Sequence, residues 1–280
     1  MAFVVSDTRR SGSRAARSLS ASNYRPKHMS RWAIEAQDLC KRFGSFLAVD
    51  RLSLCIPHGC VFGLLGPNGA GKSTTIKMLT TLAAPTSGSA RVAGYDVSTE
   101  AVQVRRRIGY VPQQQSADPD LTGFENLLVF ARLYGIIEQR RARIVEALEL
   151  MDLADAKDRL VRHYSGGMVR RLEIAQSMLN DPEVLFMDEP TIGLDPLARH
   201  TVWERVAKLR ETHGTTIFLT THYMDEAAAL CGIVAFMNTG KILDSGPPHE
   251  LTAKYGSGAT LDDVFIRLTG QPLAKSGTHA

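Results

Sequence analysis

Apolar residues along this chain change rhythm twice, and the changes mark out its parts. Near the start they fall in short blocks and alternations. Trp32-Ala33-Ile34-Glu35-Ala36-Gln37-Asp38-Leu39 is one such stretch, and Leu47–Val49 continuing through Leu52–Ile56 is another; both read as strands, with Lys41-Arg42-Phe43-Gly44 between them. Cys60-Val61-Phe62-Gly63-Leu64-Leu65 is an unbroken apolar run about the length of one buried strand. After a glycine-rich gap comes a good helix-forming run, Thr74–Thr80. Residues 88–94 and 107–112 predict two further short strands, the second ending in Gly109-Tyr110-Val111-Pro112-Gln113.

The rhythm then becomes helical. Residues 114–122 read as a loop; beyond it Phe124, Leu127, Leu128 and Ala131 share one helix face, and Ile144, Val145, Leu148 and Met151 another. A third helix, through Met168–Ala175, stops at Asn180-Asp181-Pro182. No strand pattern interrupts 123–180. Strand-like runs return at Val184–Met187 and Thr216–Thr221, with a helix face of Val202, Val206 and Leu209 between them. The chain therefore reads as an α/β fold with a mostly helical segment, about 114–182, inserted between strands.

With 280 residues, 44% of them hydrophobic, the chain can bury one large α/β domain or a domain and a subdomain. No apolar run approaches the roughly 18 residues of a membrane span. The net charge of +4 is unevenly placed: residues 1–30 hold Arg9, Arg10, Arg14, Arg17, Arg25 and Lys27 against Asp7, a balance of +5, which leaves −1 for the rest. The remainder has no basic footprint for nucleic acid, so no nucleic-acid partner is expected. Residues 1–30, rich in Ser and Arg, read as a disordered basic extension without a secretory signal. A solvated tail, a basic arm on anionic lipid, and an extension upstream of a true start at Met29 all fit it. The cysteines Cys40, Cys55, Cys60 and Cys231 show no CxxC spacing; three lie in strand-like stretches, and they read as small buried hydrophobes in a reducing compartment.

The glycine-rich gap carries the chemistry. Gly66-Pro67-Asn68-Gly69-Ala70-Gly71-Lys72-Ser73-Thr74 fits GxxxxGK[ST], placed between a strand and a helix as that motif requires. Its backbone N–H groups and the helix N-terminus suit a phosphate, Lys72 suits the β- and γ-phosphates, and the Ser73 hydroxyl suits a magnesium ion. A plain glycine turn with a surface lysine is the competing reading. Val184-Leu185-Phe186-Met187-Asp188-Glu189-Pro190 is a buried-strand run ending in two carboxylates. Asp188 is suited to magnesium and Glu189 to polarising a water aimed at the γ-phosphate; a cap for the following turn is the alternative. Ser165-Gly166-Gly167 at a helix start makes a helix cap, and equally a second anion site, which suits the nucleotide of another subunit. Asp195-Pro196 starts a helix as N-cap and N1 proline, any catalytic role being additional. His222 closes a strand and can bond the γ-phosphate. Phe43, one hairpin from the phosphate loop, can stack on adenine or fill a core.

In order, aromatic, phosphate loop, glutamine, Ser-Gly-Gly, strand with Asp-Glu, Gly-Leu-Asp and histidine, the set closely resembles the ATP-binding subunits of ABC transporters over roughly residues 30–250. The resemblance implies a P-loop NTPase core with a parallel sheet, an antiparallel β subdomain and an inserted helical subdomain, spanning 31–250, followed by a tail, 251–280, with a short helix. It implies that Phe43 is the adenine-stacking aromatic and that Gly66–Thr74 are the Walker A loop. Gln113 becomes the Q-loop glutamine, serving catalysis and magnesium, Ser165–Met168 the signature motif, and Asp188 and Glu189 Walker B and the catalytic glutamate. Asp195 lies in the D-loop, and His222 is the switch histidine. The family usually has Leu and Gln where Tyr164 and Met168 stand. Tyr164–Met168 with Arg170-Arg171-Leu172-Glu173, Pro196–His200 with Trp203–Arg205, and the tail Leu261–Gly270 resemble instead the drug-exporter and nodulation-factor-exporter branch. The implied function is hydrolysis of ATP with Mg2+ in a homodimer, driving a separately encoded integral membrane permease from the cytoplasmic side of the membrane. A non-transport ABC ATPase acting on ribosomes or nucleic acid is the alternative, and a nucleotide-binding regulator without turnover is disfavoured because no catalytic position is missing.

Overall fold

The computed structural model describes residues 30–256 and 258–270. The predicted disorder of the first 29 residues, and the end of the tail, lie outside the described residues. Two long strands come first, β1 (Trp32–Phe43) and β2 (Phe46–Pro57). They pair antiparallel as a hairpin, Phe43 facing Phe46 across the Gly44-Ser45 turn. β4 (Ser87–Val92) and β5 (Tyr95–Asp96) extend this antiparallel sheet in the order β2-β1-β4-β5.

The second sheet holds β3 (Val61–Leu65), β6 (Ile108–Val111), β7 (Val184–Asp188), β8 (Thr216–Thr221), β9 (Ile233–Asn238) and β10 (Lys241–Gly246), ordered β10-β9-β3-β8-β7-β6. All neighbours in it are parallel except β10 on β9. Every residue of β3, β7 and β8 is buried, as unbroken apolar runs with cover on both faces require. Alternation sorts the side chains. Leu185, Met187, Ile217 and Leu219 join the core on one face; Phe62, Leu64, Phe186 and Phe218 join the core shared with the antiparallel sheet.

The helices are α1 (Lys72–Leu79), α2 (Ala101–Arg107), α3 (Gly123–Leu133), α4 (Arg140–Leu150), α5 (Gly166–Met178), α6 (Pro196–His213), α7 (Met224–Leu230), α8 (Pro248–Ala253) and α9 (Leu261–Thr269). α3, α4 and α5 lie between β6 and β7 in sequence. Thr122 and Glu125 form a capping box at the start of α3. α9 packs back on the core through Leu261, Val264 and Phe265.

Some sequence expectations need correction. The strand expected over 107–112 starts at Ile108, because the preceding seven residues are helix α2. That helix buries only Val104, so it shows no apolar period. Of the cysteines only Cys231 is buried; the other three are half-buried. Cys40 is engaged in polar contacts, its Sγ accepting from the Arg51 N–H and donating to the Asp38 carbonyl.

No described helix is long and apolar enough to cross a membrane.

Candidate functional site

The carboxyl ends of β3, β7, β8 and β6 lie along one edge of the parallel sheet, the place where α/β sheets bind ligands. The loop 66–71 leaves β3 there, Glu189 follows β7, His222 follows β8, and Gln113 follows β6. Register brings them level: Leu65 pairs with Thr221, and Asp188 with Thr220.

Steric limits dictate the loop. Gly71 caps α1 at φ 108°, where a Cβ would lie 2.5 Å from the Ala48 carbonyl oxygen. At Gly66 a Cβ would lie 2.1 Å from the Met237 carbonyl oxygen. Lys72, 4% exposed, folds back over the loop: its Nζ donates to the Gly66 carbonyl at 2.6 Å and the Pro67 carbonyl at 3.2 Å. The same ammonium lies 2.9 Å from Glu189 Oε1. The other Glu189 oxygen is 2.5 Å from His222 Nδ1. Lysine from the first turn of α1, glutamate from after β7 and histidine from after β8 thus form one chain of contacts.

A second chain runs beside it. Ser73 Oγ donates to Asp188 Oδ1 at 3.0 Å, and Thr220 Oγ1 donates to the same oxygen at 2.6 Å. Glu189 itself sits at φ 51°, a left-handed conformation unusual for a side-chain-bearing residue. Its N–H is held there by the Thr220 carbonyl and hydroxyl, at 3.1 and 3.0 Å. Strain of this kind, of order 1–3 kcal/mol, collects at working sites because the surroundings must enforce it. Burial by itself raises the Glu189 pKa, but the hydrogen bond with His222 and the Lys72 ammonium outweigh it and hold the carboxyl below its ordinary range. Glu189 is therefore a carboxylate at neutral pH.

A cleft of about 350 Å³ opens over these groups, lined by Pro67–Thr74, Gln113, Glu189, Phe46 and Ala48. Oxygen donors of Ser73, Asp188 and Gln113 at its edge suit a hard cation.

A family profile for the ABC transporter matches residues 49–192. The chain belongs to the ABC transporter family. It is an ATP-binding subunit and an ATP hydrolase. Among its relatives, the daunorubicin/doxorubicin resistance ATP-binding protein of Streptomyces peucetius is 49% identical over 226 residues, 80% of this chain and 68% of that one. The Nod factor export ATP-binding protein I of Cupriavidus metallidurans is 45% identical over 78% of this chain and 72% of its own. A solved ATP-binding subunit of an ABC transporter superposes with a TM-score of 0.75 at 30% identity, over 85% of this chain and 99% of that one. The ATP-binding cassette MJ0796, solved as a dimer in a post-hydrolysis state bound to ADP and Pi, superposes with a TM-score of 0.68 at 27% identity, over 76% of this chain and 98% of its own.

In this ABC ATPase the expected site residues divide into two groups. Pro67–Thr74, Gln113 and Glu189 share the cleft; Asp188 and His222 join it through the contacts above, and Gly66 through the Lys72 bond. Ser165, Gly166 and Gly167 line no part of it. Ser165 caps α5, accepting from the Met168 N–H at 3.3 Å, and Gly167 presses on α6, where a Cβ would come within 2.9 Å of the Ala198 Cβ. Asp195 caps α6, accepting from the Ala198 N–H at 2.9 Å. Phe43 is half exposed, which removes the core reading, and Lys41 Nζ sits 5.0 Å from its ring centroid. It does not line the cleft; its cross-strand neighbour Phe46 does. Sequence reasoning missed Thr220 and Phe46. A threonine beside the strand-end Asp188 and a second aromatic on the same hairpin were the available signals.

Proposed function

We propose that this ABC ATPase is the motor subunit of an exporter: two copies close head to tail around two ATP molecules, and hydrolysis releases them to drive a separate membrane permease. The observation that carries the reading is the split just described. One complete set, Lys72, Ser73, Gln113, Asp188, Glu189 and His222, gathers at one sheet edge, whereas Ser165–Gly167, equally suited to phosphate, lie off that cleft. A second copy supplies the missing clamp most simply, and the solved MJ0796 cassette is dimeric. The relatives' roles in daunorubicin/doxorubicin resistance and Nod factor export favour export.

Each residue has a job in this reading. Loop N–H groups and the start of α1 hold the phosphates. The triphosphate competes with Glu189 for Lys72, which frees the carboxylate to face a water. Glu189 orients that water and takes its proton, a contribution of roughly 100- to 10,000-fold. His222 steadies Glu189 and bonds the γ-phosphate. Ser73, Asp188 and Gln113 hold Mg2+, whose charge offsets that of the phosphate oxygens. Phe43 stacks on adenine, and Asp195 sets the start of α6 at the dimer face.

By domain, 31–250 is the nucleotide-binding unit with 114–182 inserted, and 251–280 is a tail. Docking to the permease falls to the loop after Gln113 and the helical insert, where Val129, Leu133, Tyr134 and Ile137 are exposed on and just beyond α3. In this reading the protein works peripherally, on the cytoplasmic side of the membrane. The test is copurification with an integral membrane protein whose transport is lost in Glu189→Gln. ATPase stimulation by RNA or DNA, with none by membranes, overturns the transport reading.

A further inference from the structure

The run Arg170-Arg171-Leu172-Glu173 marks a branch of the family, yet the chemistry above makes no use of it. Arg170 and Glu173 stand one turn apart on α5 and are buried, 4% and 2% exposed. Arg170 Nη1 donates to the Pro112 carbonyl at 2.7 Å and to Glu173 Oε2 at 3.0 Å, and its Nη2 donates to the Gln113 carbonyl at 3.0 Å. The other Glu173 oxygen accepts from the Ser116 backbone N–H, and from the Ser116 hydroxyl at 3.2 Å. The pair therefore grips the glutamine loop on both sides of the Gln113 side chain, which lines the cleft.

A buried ion pair is a poor source of stability, because desolvating two charges offsets their attraction. Its strength is geometric. A guanidinium fork with all its bonds to one carboxylate and two carbonyls fixes distance and direction together. The helix that carries the pair is also the helix that begins with Ser165, Gly166 and Gly167. Over so short a span a helix is stiff.

We propose that Arg170 and Glu173 are positioning residues that tie the glutamine loop to the helix of the serine–glycine cap. Gln113 then enters or leaves its own nucleotide site only together with the cap that serves the partner's nucleotide. This rests on the function proposed above, and it adds a coupling that the site residues alone do not provide.

Steady-state ATPase kinetics of the full chain test it, with Arg170→Lys, Glu173→Gln, Gln113→Ala and the double variants, each with its melting temperature. Arg170→Lys and Glu173→Gln should each lower kcat by roughly ten- to a hundredfold, the range for a misplaced group, while KM for ATP moves less than about threefold. On the Gln113→Ala background either change should add less than about twofold, since its effect runs through Gln113. The same fold loss with and without Gln113, or kcat and KM worsening in step with a lowered Tm, overturns the coupling and leaves only a folding strut. If Glu173→Gln fails to fold, Arg170→Lys, which keeps the charge, carries the test alone. If Gln113→Ala leaves kcat unchanged, the role proposed for Gln113 falls and the coupling with it. If Gln113→Ala lowers kcat but Arg170→Lys acts independently, only the coupling falls.

Discussion

Lys72 faces two carbonyl oxygens and a carboxylate, and a phosphate must displace at least part of that company. Lys72→Ala should weaken ATP binding by tenfold or more, roughly 1.4 kcal/mol at least, read by titration with a fluorescent nucleotide. Unchanged affinity removes Lys72 from the site. Gly71 works through backbone alone: Gly71→Ala must pair a left-handed φ with a carbonyl contact of 2.5 Å. It should cost about 1–3 kcal/mol in chemical denaturation and lower phosphate affinity; a wild-type midpoint contradicts this. At this scale the sequence was most readable, because GxxxxGK[ST] and Asp-Glu after an apolar strand are chemistry written in consecutive letters. Thr220 was not readable, because its value comes from lying level with Asp188 on the next strand, a relation that only sheet order creates.

Elements hold these residues in place. Phe62, Phe218 and Phe186 pack across β3, β8 and β7 with centroids 5.1 and 5.5 Å apart, beneath the strand ends that carry the site. Phe218→Ala should destabilise by about 3–5 kcal/mol, measured by urea unfolding; a loss below about 1 kcal/mol would mean the strands are held otherwise. Glu226 on α7 ties three elements together: its Oε1 accepts from Thr191 Oγ1, just past β7, at 2.8 Å and from Trp203 Nε1, on α6, at 3.0 Å. Burial pushes its pKa up, and the charge of Glu189 adds to this, against bonds from Thr221, Thr191 and Trp203 that lower it. A carboxyl raised on folding contributes fully below its unfolded pKa and loses that contribution as pH rises through the folded one. Wild-type Tm should therefore fall relative to Glu226→Gln as pH rises from the ordinary carboxylate range, and parallel curves would contradict it. β3, β7 and β8 were legible here from unbroken apolar runs, and α5 and α6 from Ser165 and the Asp195-Pro196 start, whereas β9 and β10 were not read as strands. Helix α2 was not, because a helix that buries one residue leaves no period.

At the scale of the whole molecule, the described residues form a mostly parallel sheet between two cores, with the antiparallel sheet on one face and most of the helices on the other. Its fold class followed from the order of runs. The separation of Ser165–Gly167 from the phosphate cleft did not, because adjacency in space is set by how α5 seats against α6 and the glutamine loop. That separation is what asks for a second copy. Glu189→Gln removes the carboxylate that takes the water's proton and leaves the phosphate loop intact, so bound ATP should persist. The direct measurement is light scattering of Glu189→Gln with and without ATP and magnesium. Conversion from monomer to dimer on adding ATP, reversed when the nucleotide is removed, is the expected result. A Glu189→Gln protein that binds ATP yet stays monomeric, even beside its membrane partner, contradicts the account.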